Sequence, residues 1–340
     1  MADSEKLPLL MTTHGRLSHR QSFYSLVDGR WKTTQLAILD CKRILGSSHG
    51  WLVLVDYVSG ESCLWNPVSM REISLPYLDD SLFYDRCVLT GPPTEPDCHI
   101  IFCSDDTAKR TVFRVKDGSI VGLPPGEAGG GVELMALASF QGEMYGVVDP
   151  VNGGGYEFVT VHVVNGGVEF RPLLDELGRT LKVPMARIKC VTWHENRLIE
   201  APDGGGFLLV MKLFRGYPLD DGVEFKVFRV EVGATRVGCV ELDSVDEWTI
   251  FLNYWGDGFC RISERRVCRP NSIYFTNEKG RAVKVYDLGE KSTTTFLPFR
   301  GAGRYMSVSC WVDLPNIPEP EPEPDHEPEP EPDHELELES

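Results

Sequence analysis

Three prolines, at 76, 124 and 172, stand 48 residues apart, and each closes a short strand-like run. A hairpin pattern with Asp117-Gly118 at its tip precedes Pro124, and another with Asn165-Gly166-Gly167 precedes Pro172. The stretch before Pro76 shows the unit most clearly. Trp51-Leu52-Val53-Leu54-Val55 is a continuous apolar run opened by Gly50 and closed by Asp56. It is too short for a helix and rich in β-formers, which suits a strand covered on both faces. Ser59-Gly60 then supplies a reversal, Glu61 to Trp65 runs back, Asn66-Pro67 breaks the ladder, and Arg71 to Leu75 makes a third strand. Glycine serves at such reversals because it reaches positive φ without steric cost. Short antiparallel strands recurring with a period in the forties are what a propeller blade requires.

The chain therefore reads as all-β, a closed β-propeller of four-stranded antiparallel blades. Residues 20–314, divided by the 48-residue spacing, give six blades, with seven the alternative. Residues 1–19 read as an N-terminal extension and 315–340 as a disordered acidic Pro-Glu tail. Alternating proline and like charge keeps such a tail extended and solvated. The first hairpin joins SFYSLV to RWKTTQL through Asp28-Gly29, a pair suited to a two-residue type I′ tip. Tyr305–Val312 has no later strand to pair with, so its expected partner is this N-terminal hairpin, which would seal the ring and remove a free edge. A short helix is allowed at Asp175–Leu181. In Val223–Val232 the apolar alternation changes phase, which calls for a bulge near Val227 or for burial of both faces. The last full unit is expected from Glu247–Leu252, Phe259–Ile262, Ser272–Thr276 and Ala282–Leu288.

Net charge is −17, yet residues 316–340 hold nine Glu and two Asp with no Lys or Arg, leaving −6 for the body. A mildly acidic body does not supply the basic footprint that nucleic acid needs. No apolar run approaches the ~20 residues of a membrane-spanning helix, and Leu7-Pro8-Leu9-Leu10-Met11 is too short and proline-broken for a secretory signal. The ten cysteines lack framework spacing, and Cys63, Cys103 and Cys310 fall inside apolar strands as small core residues. A reduced protein of the cytoplasm or nucleus is expected, without membrane or nucleic-acid partners and monomeric.

Chemical motifs are weak. Gly46-Ser47-Ser48-His49-Gly50 has the form of a hydrolase nucleophile elbow, but a strand follows it where the elbow needs a helix. It reads as a turn entering an inner strand. The glycine clusters at 129–131, 153–155 and 204–206 lack the Lys-Ser/Thr and the helix of a phosphate cradle. The pairs Asp79-Asp80, Asp105-Asp106 and Asp220-Asp221 carry no calcium-loop pattern. Cysteine and histidine spacings match no zinc site. No metal, cofactor or catalytic residue is expected. Large rings in glycine-rich loops are the better lead: Tyr254 and Trp255 in one, Arg215 and Tyr217 in another. Loop aromatics on a stiff scaffold suit protein recognition. An enzyme or sugar-binding propeller that uses its central channel is the alternative, and it would need convergent carboxylates, histidines or a metal there.

Several motifs fall in order along residues 7–300. They are Leu7-Pro8-Leu9-Leu10-Met11 with Phe23-Tyr24-Ser25-Leu26, the Gly46–Leu52 entry, and Leu64-Trp65-Asn66-Pro67. Phe225-Lys226-Val227-Phe228-Arg229, Asn271-Ser272-Ile273-Tyr274-Phe275-Thr276 and Val285-Tyr286-Asp287-Leu288 complete the set. With them the sequence resembles the plant F-box-associated, kelch-like β-propeller family. The resemblance implies a non-enzymatic propeller that receives substrate proteins for a Skp–cullin–F-box ubiquitin ligase. An F-box normally precedes this propeller; none is read before Leu7, so a relative without one is expected, binding a protein partner of the ubiquitin pathway.

Overall fold

The computed structural model describes residues 7–14, 20–56, 58–76, 86–95, 98–103, 110–116, 119–122, 132–150, 155–164, 167–184, 193–214, 223–233, 237–253, 258–263, 267–276, 282–298 and 309–312. The expected tail at 315–340 lies outside them. In chain order, β1 (Leu9–His14), β2 (Arg20–Ser25) and β3 (Arg30–Thr34) open the fold. The second sheet is β4 (Lys42–Ser48), β5 (Trp51–Asp56), β6 (Ser62–Asn66) and β7 (Arg71–Leu75). The third is β8 (Arg86–Leu89), β9 (His99–Cys103), β10 (Arg110–Lys116) and β11 (Ser119–Gly122). β12 (Glu133–Phe140), β13 (Glu143–Asp149), β14 (Glu157–Val164) and β15 (Gly167–Pro172) form the fourth. β16 (Trp193–Glu200), β17 (Gly206–Phe214), β18 (Val223–Val232) and β19 (Val237–Leu242) form the fifth.

The sixth sheet holds β20 (Trp248–Leu252), β21 (Gly258–Ile262), β22 (Ser272–Thr276), β23 (Ala282–Asp287) and β24 (Ser292–Pro298), in the order β21-β20-β22-β23-β24. It has five strands rather than the expected four, because β20 pairs in parallel with β22 while β21 folds back antiparallel to β20. The last strand, β25 (Ser309–Val312), pairs with β1 from Leu9↔Val312 to Thr12↔Ser309. The first blade therefore runs β25-β1-β2-β3, three strands from the beginning of the chain and one from its end. Residues 9–14, read from sequence as part of an extension, are a strand in this blade.

Packing makes the six sheets a ring. Among the described residues six buried apolar clusters stand out, and each joins two neighbouring blades. In β17, Phe207, Leu209, Met211 and Leu213 face the fourth blade, while Leu208 and Val210 face the sixth. In β5, Trp51, Val53 and Val55 face the third blade, while Leu52 and Leu54 face the first. Successive side chains alternate between faces, so a strand buried on both reads as an unbroken apolar run. The same rule settles β18. Phe225 and Val227 belong to one interface, Phe228 and Val230 to the other, and the register against β17 runs unbroken from Phe214↔Val223 to Gly206↔Glu231. Both faces are covered, and no bulge stands near Val227.

Other local expectations change in detail. Gly46, Ser47 and Ser48 belong to β4, a strand that the turn reading omitted, and the reversal is at His49-Gly50, both with positive φ (49° and 74°). Positive φ at both central residues is what a type I′ turn demands. At the first hairpin the loop is four residues long, and the Gly29 N–H donates to the Ser25 carbonyl at 2.9 Å in place of a two-residue tip. Asp175–Leu181 is not a helix. Its Asp175 carboxylate accepts from the Leu177 and Arg179 N–H groups at 2.9 Å each, and Leu174 and Thr180 form an antiparallel bridge.

One buried amide adds a tie at the closure. The Trp311 N–H donates to Asn253 Oδ1 at 2.6 Å, and Asn253 Nδ2 donates to Ser47 Oγ at 3.0 Å and to the Trp311 carbonyl at 3.5 Å. A side chain from the sixth blade thus ties β25 of the first to β4 of the second. Asn253→Ala would leave the buried Trp311 N–H without its acceptor, a loss of about 1–3 kcal/mol. Urea unfolding checks this. A midpoint unchanged from wild type would show that the clamp contributes nothing.

Candidate functional site

The innermost strand of each blade is a sheet edge with unpaired backbone groups, and such groups need partners or water. Serines supply some of them across blades. Ser48 Oγ accepts from the Leu89 N–H at 3.2 Å, and Ser139 Oγ donates to the Thr90 carbonyl at 2.8 Å. The inner strands β4, β8, β12, β16 and β21 stand side by side around the axis. Where the carboxyl ends of β4, β12, β16 and β25 converge, with β21 beside them, a cavity of about 450 Å³ opens. Ser47, His49, Glu200, Arg261, Phe259 and Ile262 are among its walls.

Each polar group reaches the cavity for a local reason. His49 sits on the β4–β5 tip, Glu200 is the last residue of β16, and Arg261 lies in β21. His49 and Glu200 are exposed, while Arg261 is half-buried. The Arg261 guanidinium lies 5.2 Å from the Phe259 ring centre, and its Nη1 donates to the Cys260 carbonyl at 3.1 Å. Although solvent reaches part of His49, the surrounding protein desolvates the ring enough to hold its pKa below the ordinary 6.5, against the raising effects of a hydrogen bond to the Leu89 backbone and of the Glu95 and Glu200 carboxylates. The neutral imidazole is therefore favoured at neutral pH.

A second polar cluster lies between the fifth and sixth blades. Lys212, 6% exposed, has Nζ 3.5 Å from Glu195 Oε2 and 4.6 Å from the Phe214 ring centre. Arg197 Nη2 is 3.9 Å from the same carboxylate oxygen. The void here is near 10 Å³, room for a single water. Its charges are paired, and the space beside them is too small for anything larger than a water.

Arg215, Tyr217, Tyr254 and Trp255 lie outside the described residues, as do the three acidic pairs. Among the described residues no three His, Cys, Asp or Glu side chains converge as a metal site would require, and no helix is long and apolar enough to cross a membrane. Ser48 is buried at the end of β4 and followed by a strand, so the hydrolase context is absent there. Cys63 and Cys310 are buried free thiols, and burial pushes each up to about 12. The side chain of Cys103 lies outside the described residues. Sequence reasoning missed His49, Glu200, Arg261 and Asn253. His49 could have been found as the first residue of a type I′ pair, but the others carry no local pattern.

Fold and cavity together define a closed six-bladed β-propeller with a cavity where the ends of inner strands from several blades meet. The chain belongs to the KIB1-4 beta-propeller family, whose profile matches residues 23–287. Comparison with curated protein sequences returns no match. Among solved structures, a chain of a nidogen/laminin complex is 12% identical, covering 86% of this chain and 94% of its own, with a TM-score of 0.42. A putative 6-phosphogluconolactonase from Bacteroides uniformis ATCC 8492 is 9% identical, with coverage of 91% and 83% and a TM-score of 0.39. Apo AztD from Citrobacter koseri is 11% identical, with coverage of 90% and 98% and a TM-score of 0.36.

The His49 assignment has a measurable sign. An NMR titration should place its midpoint below 6.5, and Glu200→Gln should lower it further, because that carboxylate raises it. The associated stability is complete above 6.5 and is lost as pH falls from there towards the folded value. A midpoint above 6.5, or a rise on removing Glu200, would contradict this description of the mouth.

Proposed function

We propose that the protein is a binding protein rather than an enzyme, and that it holds a partner protein on one face of the ring. The partner is a substrate of the ubiquitin pathway, received as in the F-box-associated propellers the sequence resembles. The propeller acts as a monomer, in the cytoplasm or nucleus, without metal or cofactor. The observation that carries this reading is the division of labour within each blade. Both faces of every sheet contribute to blade–blade packing, around its inner strands above all. Recognition is thereby left to turns and loops on a stiff frame. In sequence, Arg215 and Tyr217 fall between the end of β17 and the start of β18, and Tyr254 and Trp255 between the end of β20 and the start of β21. Aromatic and arginine side chains in such places are frequent hot spots.

The test is affinity capture of the full chain from plant extract at physiological salt. A saturable protein partner is expected. Replacing Tyr217, Tyr254 and Trp255 by alanine should weaken capture at least tenfold. Absence of any protein partner, or turnover of a lactone or glycoside by the purified chain, would overturn the reading.

A further inference from the structure

The residues that follow β25 carry most of the net charge, and the strand register fixes where they leave the body. We infer that this acidic Pro-Glu tail docks on the outer strand of the first blade, over Arg30, Trp31 and Lys32 of β3. The inference stands apart from the partner-binding reading above.

Position comes first. Val312 of β25 stands opposite Leu9, Leu9 opposite Ser25, and Ser25 opposite Arg30. One row of paired residues thus crosses the blade from the last described residue to the first residue of β3. Three strand spacings of about 4.8 Å, roughly 14 Å in all, separate the two ends of that row. Residues 313–317 span it when extended at about 3.1 Å per residue. The strict Pro-Glu alternation begins just beyond them, at Pro318.

Charge comes second. Among the outermost strands of the six sheets, β3 alone carries cations without a carboxylate. β7 and β15 hold both signs, β19 holds Glu241, and β11 and β24 are uncharged. Arg30 and Lys32 are exposed and have no ion pair among the described residues, whereas Lys42, Arg171, Lys182 and Lys226 each lie beside a carboxylate. Asp28, in the tip before β3, sets one acid against these two bases. The nine Glu and two Asp of residues 316–340 have no Lys or Arg among them.

The surface itself comes third. Successive residues of a strand face opposite sides. Lys32 stands opposite Phe23, which packs towards the second blade, and Trp31 stands opposite Tyr24, which packs towards the sixth. β3 therefore shows cations on one side and an indole on the other. Trp31 is 38% exposed, with its ring centre 5.2 Å from that of Tyr24, and the half-buried Phe296 ring lies 6.3 Å from Tyr24. Residues 318–324 alternate proline and glutamate, and a residue before proline is confined to extended conformations. Such a segment carries carboxylates on one side and proline rings on the other. Each side has its complement on β3: the glutamates meet Arg30 and Lys32, and the prolines meet Trp31, as proline-rich segments do in aromatic grooves. Exposed ion pairs are individually weak. The short spacer offsets this by holding the tail near β3 at an effective concentration in the millimolar range.

Carbodiimide cross-linking of the full chain tests this, since it joins a carboxylate to an amine only where the two touch. Peptide mass spectrometry of the monomer band should find Lys32 joined to glutamates of the tail at least fivefold more than the exposed Lys182 and Lys291 are. That preference should vanish in about 1 M sodium chloride, which screens charges beyond roughly 3 Å. Replacing Pro318, Pro320, Pro322 and Pro324 by serine keeps every carboxylate and leaves every described residue untouched. It should cut the Lys32 yield at least threefold, as should Arg30→Ser, whose unfolding midpoint is measured alongside. Equal yields at the three lysines, or indifference of Lys32 to both variants, overturns the inference. Links confined to a dimer band also overturn it, because the tail would then seat on a second copy of the chain.

Discussion

The fold depends on a simple geometric constraint. A four-stranded blade in this protein has apolar side chains on both faces, and neither face can be left in water. Trp51, Val53 and Val55 need one neighbour, while Leu52 and Leu54 need another. A row of such sheets always leaves two faces uncovered at its ends, and a ring leaves none. The closing blade is where the requirement is hardest to meet, because the chain has to return to its beginning. It does so with β25, whose Trp311 faces the sixth blade while Cys310 and Val312 face the second. Trp311 packs edge-on against Phe251, with ring centres 4.9 Å apart. Full burial of a large apolar side chain stabilises by roughly 1.5–3 kcal/mol, so this short strand joins its neighbours firmly.

Much of this was legible in the amino-acid order, for physical reasons. Pro76 follows β7, and Pro172 and Pro298 end β15 and β24, all outermost strands of their blades. Proline is tolerated there because one edge of an outer strand has no ladder to break. The 96 residues from Pro76 to Pro172 therefore span two blade repeats, from the second blade to the fourth. Turn chemistry was legible only in part at Gly46–Gly50, where the reversal is confined to His49-Gly50 and the three residues before it are strand. It failed at Asp28-Gly29, where the glycine alone takes positive φ, at 63°. It failed again at Asp175, where a carboxylate organises a loop that its sequence also allows as a helix. The parallel pairing of β20 and β22 has no local signature at all, since strand direction is decided by the long connection between them.

The cavity was the least legible part. Its groups come from separate blades, and their convergence is a property of closure rather than of any segment. His49 is placed by a turn, Glu200 by the end of a strand, and Arg261 by a strand that doubles back to the inner edge of its sheet. Asn253 shows the same dependence. In sequence it begins an aromatic loop, yet in the fold its amide is buried and joins three blades. The mouth and the closure thus share one scaffold, because Ser47 lines the cavity and also accepts the Asn253 amide.

Ring closure by the last strand is the central claim, and truncation tests it most directly. Urea unfolding of a chain ending at residue 308 is compared with one ending at residue 314, which keeps β25 and removes the residues after it. The account predicts that the shorter chain loses its single cooperative transition or unfolds at a much lower midpoint, since two interfaces open at once. Equal midpoints and slopes for the two chains would mean that β25 does not close the ring.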